Sequence, residues 1–245
     1  MTQAQALKIL KTGVNVYLTG SAGSGKTYVL NQYIKYLKDH DVPVAVTAST
    51  GIAATHMNGM TIHGWSGIGV RDTLSEYDLE ALLDKQYLYK RFNQARVLII
   101  DEVSMLHGFR LDMVNKVCQM FKKSSQPFGG LQVVLSGDFF QLPPVNRGGK
   151  SEQSDMVVYS DAWKAMKPAI CYLTEQHRQD DDKFTDILNS IRKDNLQDTH
   201  LKEVEKRMHA SITHVEPTKL YTHNADVDMI NIQALNKLEE KEYGY

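Results

Sequence analysis

Apolar positions along the chain follow two alternating patterns. Short β-branched and aliphatic runs occupy residues 14–18, 42–47, 97–100 and 133–135, each bounded by a polar or glycine turn. Between them, Val29, Leu30, Tyr33, Ile34 and Leu37 recur at helical spacing, and so do Leu111, Val114, Val117 and Phe121. Three of the runs have almost no polar alternation, which predicts central parallel strands covered on both faces. Strand, loop, helix and strand in repetition predict an α/β fold with a mainly parallel sheet and right-handed crossovers. Around residues 176–183 charge replaces strand formers. Beyond it, Phe184, Ile187, Leu188 and Ile191 mark one helix face, and residues 201–208 a second helix. Residues 219–222 read as a short strand, followed by a helix with Ile230, Ala234 and Leu238 on one side. This tail reads as the start of a second α/β unit that ends too soon to complete one.

Composition narrows the class without naming a function. The 245 residues suit one to two domains at roughly 150 residues each. Apolar residues (42%) suffice for a sizeable core, and no window approaches the ~20 apolar residues of a membrane-spanning helix. Cys118 and Cys171 stand far apart without metal-ligand spacing. That argues against a disulfide scaffold or zinc module and for a reducing intracellular setting, cytoplasmic if bacterial. With 28 Lys and Arg against 29 Asp and Glu, no bulk cationic field advertises nucleic acid.

The chemistry lies in motifs. GSAGSGKT (Gly20, Ser21, Ala22, Gly23, Ser24, Gly25, Lys26, Thr27) fits the phosphate-binding loop in full, with a strand before it and a helix after it. Lys26 would reach the β- and γ-phosphates of ATP, and the Thr27 hydroxyl would ligate Mg2+. LIIDEVSM supplies the acidic partner at a strand end. There Asp101 can hold the metal through its water shell, and Glu102 can orient or deprotonate water.

TASTGIAA (47–54), TIHGWSGIG (61–69), DEVSM, GDFFQLPPV (137–145) and EQHRQ (175–179) follow in that order. Together with the phosphate loop they closely resemble the petite-integration-frequency (Pif-type) DNA helicases of superfamily one, relatives of RecD. The resemblance covers residues 1–180, and LYTHNADVDMIN (220–231) extends it. It implies a RecA-like domain over residues 1–178, with a small wedge near 65–80, and the incomplete start of a second RecA-like domain over 179–245. It further implies that Gln141 senses the γ-phosphate and that Arg178 stabilises transition-state charge, here preceded by His177 where the family often has a bulky aromatic. Gln5 would read adenine, with Gln3 as a competing choice.

For DNA, the resemblance nominates Thr50, Gly51, Thr61 and His63 along a single-strand track, with Trp65 as a stacking surface. Trp65 and Ile68 read equally well as core, and His63 as a structural histidine. The implied activity is Mg2+-dependent ATP hydrolysis coupled to 5′-to-3′ movement on single-stranded DNA and at junctions, by a monomer without membrane contact. Two other classes stay open: a loader or remodelling ATPase, and a nucleotide- or DNA-binding module without turnover. The later motifs expected on a second domain do not occur before Tyr245. The chain is therefore expected to lack its C-terminal helicase half, to hydrolyse ATP slowly and not to unwind.

Overall fold

The computed structural model of the chain describes residues 1–146, 153–176, 181–208, 210 and 218–238. In chain order the regular elements begin with α1 (Gln3–Leu10), β1 (Val16–Gly20), α2 (Lys26–Asp39), β2 (Val44–Ala48), α3 (Gly51–His56), β3 (Met60–Thr61), α4 (Ile62–Ser66), α5 (Glu76–Leu83) and α6 (Gln86–Gln94). They continue with β4 (Val97–Asp101), α7 (Gly108–Lys122), β5 (Gln132–Ser136), α8 (Asp161–Met166), β6 (Ala169–Leu173), α9 (Asp182–Arg192), α10 (Asp198–Met208) and α11 (Asn224–Leu235).

All six strands are parallel, in the order β3-β2-β4-β5-β1-β6. The apolar runs predict this parallel α/β sheet, and it is the RecA-like architecture that the family resemblance implies. Alternate residues of the buried strands serve opposite faces. Leu98, Ile100, Val133 and Leu135 enter a core with α6, α7 and α8, while Val97, Ile99, Val134 and Leu18 enter a second core with α1 and α2. Two covered faces explain why β4 shows no polar alternation. The five apolar residues predicted on α2, and the four on α7, are all buried.

Several elements depart from the sequence reading. Helix α1 was not anticipated; Thr2 and Gln5 form a capping box at its start. Strand β6 also escaped, because as an edge strand it leaves Ile170 and Tyr172 exposed and buries only alternate residues. Residues 219–222 are not a strand. No described segment pairs with them and Leu220 is 94% exposed, so water and not a partner ladder is left to meet this backbone. Leu238 lies beyond the end of α11, past its cap at Asn236.

The stretch at 65–80 is rooted in the core. Trp65 is 3% exposed, with its ring 4.6 Å from Phe92, which stacks on Phe121; Ile68 and Leu79 are buried beside it. Trp65 is therefore a core residue and not the stacking surface nominated for DNA. Between these anchors Val70 and Tyr77 stand exposed.

The chain divides into two units, Met1–Asp186 and Ile187–Tyr245. In the second, the described elements are the remainder of α9 with α10 and α11, whose apolar residues Met208, Ile232 and Leu235 are exposed.

Candidate nucleotide cleft and nucleic-acid edge

Strand β1 delivers the chain into a loop that closes tightly on itself. A side chain at Gly20 would meet the Ser24 hydroxyl at 2.7 Å and the Leu173 carbonyl at 2.8 Å, so no larger residue fits. Gly25 takes the left-handed conformation (φ 83°) that starts α2 without a side-chain cap, leaving the helix N-terminus open to an anion. Lys26 folds back on this loop, its Nζ donating to the Gly20 and Ser21 carbonyls at 2.9 and 3.2 Å.

Two further amides tie the loop from outside. Gln3 Nε2 donates to the Ser24 carbonyl (3.1 Å) and Gln176 Nε2 to the Ala22 carbonyl (2.9 Å). Gln5, by contrast, accepts from the Thr2 N–H in the capping box and is exposed. Of the two glutamines weighed for adenine, Gln3 is the one in contact with the phosphate loop.

Asp101 ends β4 and is 5% exposed. Burial pushes its carboxyl above the ordinary range, opposed by the Ser136 hydroxyl, the Glu102 N–H (2.9 Å) and the charge on Lys26. The Ser136 hydroxyl stands beside Asp101 but falls short of a formed hydrogen bond. A buried carboxylate beside an unsatisfied hydroxyl, with Thr27 lining the adjoining cleft, suits a hydrated divalent cation.

Glu102 follows in the left-handed region (φ 54°, ψ 44°), an uncommon conformation for a side chain of this size. Gln141 Nε2 donates to the carboxylate of Asp138 (3.3 Å), and its backbone N–H to the Asp138 carbonyl (2.9 Å). Asp138 is buried, and its holding role carried no signal of its own in the sequence.

A cleft of about 410 Å³ opens among these groups, lined by Ala22, Gly23, Gly25, Lys26, Thr27, Glu102 and Gln141. Four of the nominated polar side chains, from three separate motifs, thus share one space at the carboxyl ends of the strands, where open parallel sheets bind ligands. Arg178 and His177 lie outside the described residues.

The nucleic-acid candidates gather at the carboxyl ends of β2 and β3, which pair with Ala48 opposite Thr61. Thr50 caps α3 by accepting from Ala53 N–H, and Thr61 caps α4 by accepting from Gly64 N–H. Gly51 opens α3 with free space where a side chain would sit. The Nε2 of His63 lies 3.1 Å from the Arg110 guanidinium, which also pairs with Asp72 at 3.1 Å. Guanidinium is only a donor, so Nε2 accepts and the ring is neutral with its proton on Nδ1. Burial, followed by the charges of Arg110 and His107, holds His63 below the usual histidine range.

Known proteins resemble the chain along nearly its whole length. The chain is 51% identical to ATP-dependent DNA helicase Pif1 of a Psychrobacter species, across all of the chain and 38% of that relative. It is 36% identical to ATP-dependent DNA helicase RRM3 of Saccharomyces cerevisiae, over 94% of the chain and 32% of that protein. The chain thus spans about a third of these relatives. The crystal structure of Pif1 helicase from Candida albicans matches with a TM-score of 0.88 at 35% identity, over 97% of this chain and 54% of that one. The Bacteroides Pif1 helicase crystallised with ADP-AlF3 and single-stranded DNA matches at 0.79 and 29% identity, over 98% of this chain and 57% of that one. The PIF1-like helicase family model matches residues 2–202, and the chain belongs to that family.

Proposed function

We propose that this chain is the ATP-hydrolysing portion of a DNA helicase that moves 5′-to-3′ on single-stranded DNA and acts at junctions, with a C-terminal half as its partner. The observation that carries the reading is the convergence of Lys26, Thr27, Glu102 and Gln141 on one cleft. Lys26 would exchange its two loop carbonyls for β- and γ-phosphate oxygens. Thr27 and Asp101 would hold Mg2+, which when bound neutralises charge on those oxygens. Glu102 orients the attacking water and takes up its proton, and Gln141, steadied by Asp138, senses the γ-phosphate. Gln3 and Gln176 keep the loop closed. Arg178 supplies transition-state charge by family likeness. Residues 179–245 would begin the second RecA-like domain. Support for the DNA side comes from relatives named DNA helicases and from the Bacteroides structure that holds single-stranded DNA. Thr50, Gly51, Thr61 and His63 are the contacts proposed for it.

The test is phosphate release together with filter retention of oligothymidine, on the 245-residue chain. Both signals are expected. Nucleotide binding without phosphate release would reduce the chain to a binding module, and hydrolysis without strand retention would favour a remodelling ATPase.

A further inference from the structure

Strands β2 and β4 run in register as far as Ala48 and Asp101, and there they part. One more backbone bond follows, from Ser49 N–H to the Asp101 carbonyl at 3.1 Å. The ladder cannot go further. Glu102 turns into the left-handed region, and Thr50 leaves the sheet to cap α3. At this point a side chain stands in for the backbone: the Ser49 hydroxyl donates to the Glu102 carbonyl oxygen at 2.7 Å.

That bond falls where the site is most sensitive. A non-glycine residue stays in the left-handed region only while its surroundings hold it there. The backbone angles of Glu102 in turn set the direction in which its carboxylate leaves the chain. Ser49 is not among the residues that line the nucleotide cleft. It touches the backbone of both acidic residues, Asp101 through its N–H and Glu102 through its hydroxyl.

We propose that Ser49 is a positioning residue for nucleotide hydrolysis, pinning the left-handed turn at Glu102 so that the carboxylate enters the cleft in one direction. The inference rests on the reading of Glu102 as the residue that activates water. Ser49 also immediately precedes Thr50 and Gly51, so the pin joins the nucleic-acid edge to the residue that acts on water.

Single-turnover ATP hydrolysis on the 245-residue chain tests it, using Ser49→Ala, Ser49→Thr, Glu102→Gln and the double variant Ser49→Ala/Glu102→Gln. Loss of one hydrogen bond and a misplaced carboxylate should lower the hydrolysis rate of Ser49→Ala about tenfold. Half-saturation by ATP should stay within about twofold, since the phosphate loop is untouched. Ser49→Thr keeps the hydroxyl and should restore at least about half of the rate. The double variant should be no slower than Glu102→Gln, because a positioning effect vanishes with the group it positions. An unchanged rate in Ser49→Ala, a change confined to half-saturation, no rescue by threonine, or multiplied losses in the double variant would each overturn the proposal. Full hydrolysis by Glu102→Gln would instead overturn the assignment of Glu102 itself. Slow Glu102→Gln with normal Ser49→Ala would overturn only the inference.

Discussion

At the carboxyl ends of β1, β4 and β5, the side chains of Lys26, Thr27, Glu102 and Gln141 line an open cleft while other groups hold them in place. Gln3 and Gln176 grip loop carbonyls, and Asp138 steadies Gln141. At the ends of β2 and β3 the arrangement is reversed. The hydroxyls of Thr50 and Thr61 cap short helices, His63 accepts from Arg110, and Trp65 is buried. The first region leaves its side chains facing an open cleft, whereas the second uses them to build the surface. A nucleotide needs charge at fixed points, but a sequence-tolerant strand can be met by backbone and shape. Substitutions in the cleft should therefore remove activity, and those at the edge should first cost stability.

The cleft should show the largest effects. Lys26→Ala removes the cation meant for the phosphates and should lower kcat/KM for ATP on the order of a thousandfold or more. Glu102→Gln should keep nucleotide affinity and lose about 10²–10⁴-fold in the chemical step. Equilibrium binding of a fluorescent ATP analogue, measured beside phosphate release, separates the two. If Glu102→Gln lost affinity instead, the residue would be acting on the metal.

Trp65 comes next. Deleting its buried ring beside Phe92 should cost about 3–5 kcal/mol, as for other large aromatic truncations in cores. For a unit of this size that is a fall in Tm on the order of 10 °C. Oligothymidine affinity of the folded protein should change by no more than about twofold, because a buried ring offers bases no face. A selective loss of DNA binding with normal Tm would return Trp65 to the nucleic-acid edge.

Trp65 differs from the residues whose places follow from a local pattern in the chain. The phosphate loop, the acidic pair and the strands before them were legible because each rests on a local pattern: glycines at fixed spacing, or an apolar run buried on both sides. Helix α2 and helix α7 followed from periodicity for the same reason. Trp65 was ambiguous because an aromatic in a loop motif carries the same letter whether it faces water or Phe92. Gln176 sits inside the EQHRQ motif, but its role left no trace, since an amide that grips the Ala22 carbonyl needs no spacing and no partner residue type. Strand β6 hid because edge exposure broke its apolar run, and residues 219–222 misled because a β-like composition does not supply a pairing partner.

A smaller effect separates capping from DNA contact at the edge itself. Thr50→Ala removes the acceptor for Ala53 N–H and should cost about 1 kcal/mol, or about 2–4 °C in Tm. Thr50→Ser keeps the acceptor and should stay near wild type. If Thr50 contributes only the cap, oligothymidine titrations on the two variants should agree within about twofold once corrected for the unfolded fraction. A serine variant with normal Tm and weakened DNA binding would show that the threonine methyl meets the strand directly.

The smallest effect concerns pH. His63 titrates below the usual histidine range because burial, and then the charges of Arg110 and His107, disfavour its protonated form. At pH values above the ordinary histidine pKa both folded and unfolded chains carry a neutral ring, and there is no penalty. As pH falls through that range, the unfolded chain takes up the proton first, so stability is lost. Protonation would also turn Nε2 from acceptor to donor and end its bond with Arg110. Melting curves of wild type and His63→Gln should therefore diverge on acidification, with wild type losing more Tm than the variant. A constant difference, or one of opposite sign, would show that the fold does not hold His63 below the usual histidine range. Phosphates bound at the edge would add negative charge beside His63 and favour the proton. Saturating oligothymidine should then narrow the divergence if a strand passes Thr61 and His63, and leave it unchanged if the strand runs elsewhere.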